Sequence, residues 1–159
     1  MAMHTWFECK IRYEKVMENG MQKKVTEPYL VDALSFTEAE ARIIEEMTPF
    51  ISGEFTVSDI NRANYSELFP SDEESADRWF KCKLIFITLD EKSGAEKKTS
   101  TQVLVQAADL RDAVKKLDEG MKGTMADYQI GMVSETPLMD VYPYSAEPND
   151  KPEFDPSKA

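Results

Sequence analysis

Two stretches of the chain alternate apolar and polar residues in the way that half-buried β-strands do. Over residues 5–14, Phe7, Ile11 and Tyr13 share one side and charged residues occupy the other. Residues 78–89 alternate in the same manner. Successive side chains of a strand point to opposite faces, so one face of each stretch is suited to a core. The pattern therefore predicts a strand in each stretch.

Each of these strands is followed by signals for a turn, a return strand, a helix and a third strand. Asn19-Gly20 favours a tight hairpin turn, because both residues tolerate positive φ. Ser35 and Glu38 form the capping box of a first helix. Asp109 caps a second helix, for which Gly120 is predicted to supply the left-handed closing residue. The remaining predicted strands are 21–33, 53–60, 96–107 and part of 127–142.

The two series are copies of one another. Trp6-Phe7-x-Cys9-Lys10 reappears as Trp79-Phe80-x-Cys82-Lys83 and, after a single slip in register, Leu30-Val31 reappears as Leu104-Val105. Tryptophans and cysteines that match in one register indicate an internal duplication. The chain is thus predicted to hold two β-β-α-β repeats, residues 1–69 and 78–143.

The predicted fold class is α+β, with the two tandem β-β-α-β repeats forming a mainly antiparallel sheet and both helices on one face. Side-by-side sheets in a barrel-like arrangement are the alternative. Residues 70–77 are acidic and polar and are predicted to be a solvated linker. Residues 144–159 are rich in proline and charge and are predicted to be a disordered tail.

Composition narrows the class of protein. The 159 residues carry a net charge of −11, which disfavours binding to duplex DNA. The chain has no apolar run of membrane-spanning length and no secretory signal, so a cytoplasmic location without membrane contact is expected. Cys9 and Cys82 share strand faces with apolar residues and are expected to be buried free thiols.

Catalytic and metal-binding patterns are missing from the sequence. The single histidine is His4, near the N-terminus. Two cysteines with one histidine are too few for a zinc site built from cysteine and histidine ligands. No glycine-rich phosphate loop occurs. We therefore expect no catalytic residue, no metal and no cofactor, and regard an enzyme as improbable.

One set of residues has a physical rationale as a binding site. Strand alternation places Trp6, Lys10 and Arg12 on the sheet face opposite the predicted core, and Trp79, Lys81 and Lys83 likewise in the second repeat. An indole beside cations is suited to a planar anionic ligand or to an acidic surface of a protein partner. In the plainer interpretation each tryptophan packs within its own repeat. The edge strands of such a sheet would also favour a homodimer.

The order Trp-Phe-x-Cys-Lys, hairpin, Ser35-Phe-Thr-Glu-Ala-Glu40 helix opening and Trp-Phe-x-Cys-Lys again resembles a family of short proteins of unknown function from gut bacteria and their phages. The resemblance covers residues 4–144. It implies an accessory gene of a phage or mobile element and implies no activity, ligand or site residue.

These observations favour a small non-enzymatic binding or accessory protein, which uses either the Trp/Lys sheet face or its acidic helical side. A first alternative is an acidic inhibitor that mimics nucleic acid and presents carboxylates such as Glu38, Glu45 and Glu46 to a DNA-binding enzyme. A second alternative is an enzyme with a site between the two repeats.

Overall fold

The computed structural model describes residues 5–124 and 127–143, which form two compact units. Of the described residues, unit 1 contains 5–63 and 140–143, and unit 2 contains 64–124 and 127–139. His4 and the predicted tail, 144–159, lie outside the described residues. In chain order the elements are β1 (Trp6–Val16), β2 (Gln22–Asp32), α1 (Phe36–Met47), β3 (Phe55–Ala63), β4 (Glu67–Phe69), β5 (Arg78–Leu89), β6 (Glu96–Ala107), α2 (Leu110–Gly120), β7 (Tyr128–Glu135) and β8 (Asp140–Tyr142).

The α+β class and the β-β-α-β order of both repeats are confirmed. The expected single sheet is not what forms, because the eight strands of the described residues divide into two sheets of four. The strand order is β3-β1-β2-β8 in unit 1 and β4-β6-β5-β7 in unit 2. In each sheet three strands pair antiparallel, and the short strand at one edge pairs parallel.

The boundaries of the two units differ from those of the predicted repeats because of the two short parallel strands. β4 follows β3 in the chain, yet it pairs with β6 and belongs to unit 2. β8 follows β7, yet it pairs with β2 and belongs to unit 1. Each repeat therefore ends in a strand that completes the sheet of the other unit. A strand of three residues is too short for its alternation of apolar and polar residues to indicate a partner so distant in the chain.

The duplication is visible in strand register. Cys9 lies opposite Tyr29 in β2 and Ile60 in β3, and Cys82 lies opposite the equivalent Val103 and Val133. A β-bulge interrupts both ladders at equivalent places, between Lys10 and Ile11 and between Lys83 and Leu84. In the register that aligns the two tryptophans, β5, β7 and β8 are the counterparts of β1, β3 and β4. In the register shifted by one residue, β6 and α2 are the counterparts of β2 and α1.

Each helix covers one face of its own sheet. The buried cluster of unit 1 joins Phe7, Cys9 and Ile11 of β1 to Ala39, Ile43 and Met47 of α1. The cluster of unit 2 joins Phe80, Cys82 and Leu84 to Ala113 and Leu117. Full burial of one such large side chain stabilises the fold by about 1.5–3 kcal/mol. None of the helices in the described residues is long and apolar enough to cross a membrane.

Helix caps and turns follow the local sequence. Ser35 Oγ accepts the Glu38 amide at 3.1 Å, and Asp109 Oδ1 accepts the Asp112 amide at 2.8 Å. Gly20, in the predicted hairpin turn, has a φ of 83°. The prediction for Gly120 is wrong: it is the last residue of α2, and the positive φ belongs to Gly123 instead.

The acidic segment 70–77 is mostly exposed and is anchored to the rest of unit 2 at a few points. The Ser71 amide donates to Gln106 Oε1 at 2.9 Å, and Ala76 is buried. Lys116 of α2 donates to Ser71 Oγ at 3.0 Å and to Glu73 Oε1 at 2.7 Å. The segment thus forms part of unit 2, which a prediction from charge alone could not show.

Candidate functional site

The tryptophans of the predicted binding face are buried. Trp6 is 3% exposed and Trp79 is 5% exposed. They lie on the sheet face opposite the helices, where their near neighbours Leu30 and Leu104 are buried as well. Neither indole is therefore offered to solvent as a stacking surface. The sequence left both outcomes open, because strand alternation places each tryptophan opposite the core without showing what covers that face.

The cations of the predicted set do share a face with the tryptophans. Lys10, Lys81 and Lys83 are half-buried and Arg12 is exposed. Strand alternation therefore holds on both faces of β1 and β5. Without an accessible ring, however, this face has lost the part that would recognise a planar ligand.

Both cysteines are free and buried, as predicted. Burial raises the pKa of the Cys9 thiol to about 12 and that of Cys82 to about 11. A thiol with so high a pKa is protonated at neutral pH and is a poor nucleophile or metal ligand. These side chains belong to the two cores.

A polar cluster that sequence reasoning missed lies on the helix side of the unit 1 sheet. Glu27 Oε1 accepts hydrogen bonds from the Tyr13 hydroxyl at 2.9 Å and from the Tyr29 hydroxyl at 3.3 Å. Lys15 Nζ lies 3.6 Å from Glu27 Oε2. The Tyr29 ring stacks on Tyr142 with 6.2 Å between centroids. We call Lys15, Tyr13, Glu27 and Tyr29 the Glu27 cluster.

Burial and the carboxylate keep both tyrosines of the Glu27 cluster protonated. Desolvation, and then the hydrogen bond to Glu27, raises the pKa of Tyr13. Desolvation, and then the Glu27 charge, also raise the pKa of Tyr29. Both hydroxyls therefore stay protonated at neutral pH and can donate to Glu27.

Unit 2 has no counterpart of the Glu27 cluster. The equivalent positions hold Thr88, Phe86, Thr101 and Val103, which carry no ionisable group. Unit 2 instead pairs Tyr128 with Asp118 at another place, where desolvation, and then the charge and hydrogen bond of Asp118, raise the pKa of the tyrosine. The same backbone thus folds without a carboxylate at the position of Glu27.

The surface around α1 combines exposed apolar side chains with negative charge. Ile44 is 41% exposed and Phe50 is 76% exposed, and Leu34 and Phe36 are exposed as well. α1 carries four glutamates and one arginine. α2 carries three acidic and three basic residues, and the positions equivalent to Ile44 and Phe50 are Asp118 and Thr124. We call Leu34, Phe36, Ile44 and Phe50 the α1 surface.

Unit 2 has a shallow depression of about 440 Å³ between the 70–73 segment and the end of α2. Lys116 lies in its wall, where Glu73 and Asp112 accept from the ammonium at 2.7 and 3.1 Å. In unit 1 the equivalent Arg42 donates to the Pro143 carbonyl at 3.2 Å. A cation at this helical position therefore ties down the chain that follows the short parallel strand in both units, which is a structural role.

No group of three or more histidine, cysteine, aspartate or glutamate side chains within residues 5–124 and 127–143 is arranged to hold a metal ion. The carboxylates of α1 and of the 70–77 segment are spread along their elements. The described chain therefore presents hydrogen-bonding and apolar surfaces as its candidates for function.

A family model supplies the decisive comparison. The model described as Domain of unknown function (DUF4494) matches residues 5–144. The chain belongs to the DUF4494 family. The match spans both repeats, so the duplicated architecture described above is that of the whole DUF4494 domain in this chain.

Beyond the DUF4494 model, no curated protein and no solved structure matches the chain. The site of this DUF4494 chain therefore has to follow from its own geometry. The Glu27 cluster could have been found in the sequence by aligning the repeats and asking where they differ. In that alignment the residues equivalent to Tyr13, Glu27 and Tyr29 are Phe86, Thr101 and Val103.

Proposed function

We propose that this DUF4494 protein is a small non-enzymatic binding protein that docks a basic protein partner on the α1 surface. The observation that carries the proposal is the contrast between equivalent positions. Unit 1 exposes Ile44 and Phe50 where unit 2 has Asp118 and Thr124. Unit 2 accepts polar residues there, Asp118 with the Tyr128 hydroxyl as its partner, so the fold does not require exposed apolar side chains at these positions and those of unit 1 are available for binding.

Charge supports a basic partner. Phe36, Glu40 and Ile44 follow one another at four-residue spacing, so they lie along one side of α1. Apolar side chains at the centre of a contact, with complementary charges around them, are the usual composition of a protein interface. A partner segment with apolar residues flanked by lysine or arginine fits this surface.

The accessory role also rests on the resemblance to short proteins of gut bacteria and their phages. A cytoplasmic setting agrees with the two free thiols, because cytosolic proteins keep cysteines reduced. A small anionic ligand on the Trp/Lys face has less support, since both indoles are buried.

The test transplants the residues of unit 2 into unit 1. The double variant Ile44→Asp/Phe50→Thr removes the apolar side chains at positions where the equivalent unit already has these polar residues. Leu89→Ser, which removes an exposed apolar side chain of unit 2, is the matched control. A partner is first captured from a lysate of the source organism, then purified and titrated against all three proteins by calorimetry.

The proposal expects the purified partner to bind the wild type and Leu89→Ser equally, and the double variant at least about tenfold more weakly, as for loss of an interface anchor. Equal binding by the double variant would contradict it. A partner that binds DNA, keeps its affinity for the double variant and loses it for Glu45→Gln/Glu46→Gln would establish the nucleic-acid mimic instead.

A further inference from the structure

The carboxylate of Glu27 has one oxygen that is only partly used. Oε1 accepts from both tyrosine hydroxyls, whereas Oε2 faces Lys15 Nζ at 3.6 Å, beyond hydrogen-bond length. The Glu27 side chain is 13% exposed and that of Lys15 is 48% exposed. A largely desolvated carboxylate therefore keeps acceptor capacity on the side where a solvent-exposed ammonium approaches it.

Folding alone does not account for this arrangement. A carboxylate that is taken out of water costs free energy unless charge and hydrogen bonds compensate. Unit 2 avoids that cost with Thr101 at the equivalent position and keeps the same strand register. The two tyrosines that hold Glu27 are likewise replaced in unit 2, by Phe86 and Val103.

The ligand that this chemistry selects is a cation. A carboxylate forms strong charge-assisted hydrogen bonds with an ammonium group, and tyrosine rings attract cations through their faces. Lys15 already places an ammonium near Oε2, which marks where such a group is accommodated. The stack of Tyr29 on Tyr142 fixes one wall of the cluster.

Lys15 belongs both to the Glu27 cluster and to the wall of a depression at the β1–β2 turn. An open depression of about 520 Å³ is lined by residues 15–19 at the β1–β2 turn. We propose that the Glu27 cluster binds a primary alkylammonium group, which replaces the Lys15 ammonium at Glu27 Oε2. This site is separate from the α1 surface, and its occupancy does not depend on the protein partner proposed above.

The ammonium can belong to a free amine or to a lysine side chain of another protein. The full-length protein is titrated with n-butylammonium chloride, with n-butanol as the uncharged probe, and with a blocked Gly-Lys-Gly peptide. The readout is the set of ring resonances of Tyr13 and Tyr29 in NMR spectra. Tighter binding of the peptide assigns the ligand to a protein lysine, and tighter binding of n-butylammonium assigns it to a free amine.

Three variants make the titration specific. Glu27→Gln keeps an oxygen to accept from the tyrosines and should weaken ammonium binding by about tenfold or more, since a charge-assisted hydrogen bond is lost. Lys15→Ala removes the competing cation and should strengthen binding severalfold. Glu14→Gln, which removes an exposed carboxylate from the same hairpin, should change nothing.

A fourth variant, Tyr13→Phe/Glu27→Thr/Tyr29→Val, installs the residues of unit 2 and should fold with an unchanged or higher melting temperature but bind no amine. Failure of this variant to fold would show that the cluster is structural and would overturn the proposal. The proposal is also overturned if the ring resonances do not respond to ammonium, respond equally to n-butanol, or respond equally in Glu27→Gln.

Discussion

Units 1 and 2 share a backbone plan but differ in the chemistry of their surfaces. Both keep the same hairpin register, the same bulge and the same capped helix over an apolar sheet face. They differ where unit 1 has Glu27 with two tyrosines and an apolar, acidic helix surface. Each unit thus serves as an internal control for the other: positions that agree specify the fold, and positions that differ are free to serve binding.

The largest effect is expected from the shared core. Phe7 and Phe80 are equivalent and fully buried, so Phe7→Ala and Phe80→Ala should each lower the free energy of unfolding by about 3–5 kcal/mol. Urea denaturation followed by circular dichroism measures both. A large loss in one unit and a small loss in the other would break the equivalence on which the comparison rests.

A smaller effect is expected where unit 2 alone needs a glycine. A Cβ on Gly120 would lie 2.8 Å from the Phe69 ring, so Gly120→Ala should destabilise the protein by about 1–3 kcal/mol. Phe69→Leu in the same chain should recover part of that loss. At Gly131 the only close contact of a Cβ would be with the flexible end of Ile85, and the Lys83 carbonyl would lie at an ordinary 3.6 Å, so Gly131→Ala should cost less. Thermal unfolding of the four proteins ranks these effects, and an equal cost at both glycines would contradict this difference in packing.

A pH-dependent effect is expected from the helix cap of unit 2. The bond from the Ala108 amide, and then Lys116, lower the pKa of Asp112 below its ordinary value of 3.8. The carboxylate therefore stabilises the fold above that value, and the contribution is lost as the pH falls through the lowered pKa. Asp112→Asn should reduce the melting temperature at pH 7, and the gap to wild type should close towards pH 2. A gap that stays constant with pH would exclude this cause.

The smallest effect is expected from the transplant on α1. Ile44→Asp/Phe50→Thr changes exposed positions only and should alter the free energy of unfolding by less than about 0.5 kcal/mol per site. Chemical denaturation checks this independently of any partner. A loss of several kcal/mol would mean that the α1 surface supports the fold, and a docking role would lose its basis.

Local pattern was sufficient to predict much of the fold. Alternation located β1 and β5, the capping residues Ser35 and Asp109 located both helices, and the repeated Trp-Phe-x-Cys-Lys motif set the two copies in register. These features depend on neighbours within a few residues or on direct comparison of the copies. Such information is present in a single sequence.

The features that were missed depend on contacts between distant parts of the chain. The partners of β4 and β8 and the division into two sheets are decided by pairing between strands that lie far apart in the chain. The candidate site was missed for a related reason. A search for identical residues finds only what the two repeats share. Glu27 is found only by asking where they differ, because the equivalent residue is Thr101.

The sheet membership of β4 and β8 has a consequence for synthesis on the ribosome. Unit 2 is one continuous segment, residues 64–139, while unit 1 cannot add its last strand until residue 142 has emerged. Domains of a nascent chain usually mature from the N-terminus onwards. In this protein all strands of unit 2 have emerged before β8, the last strand of unit 1. Until then, the edge of β2 that pairs with β8 has no partner.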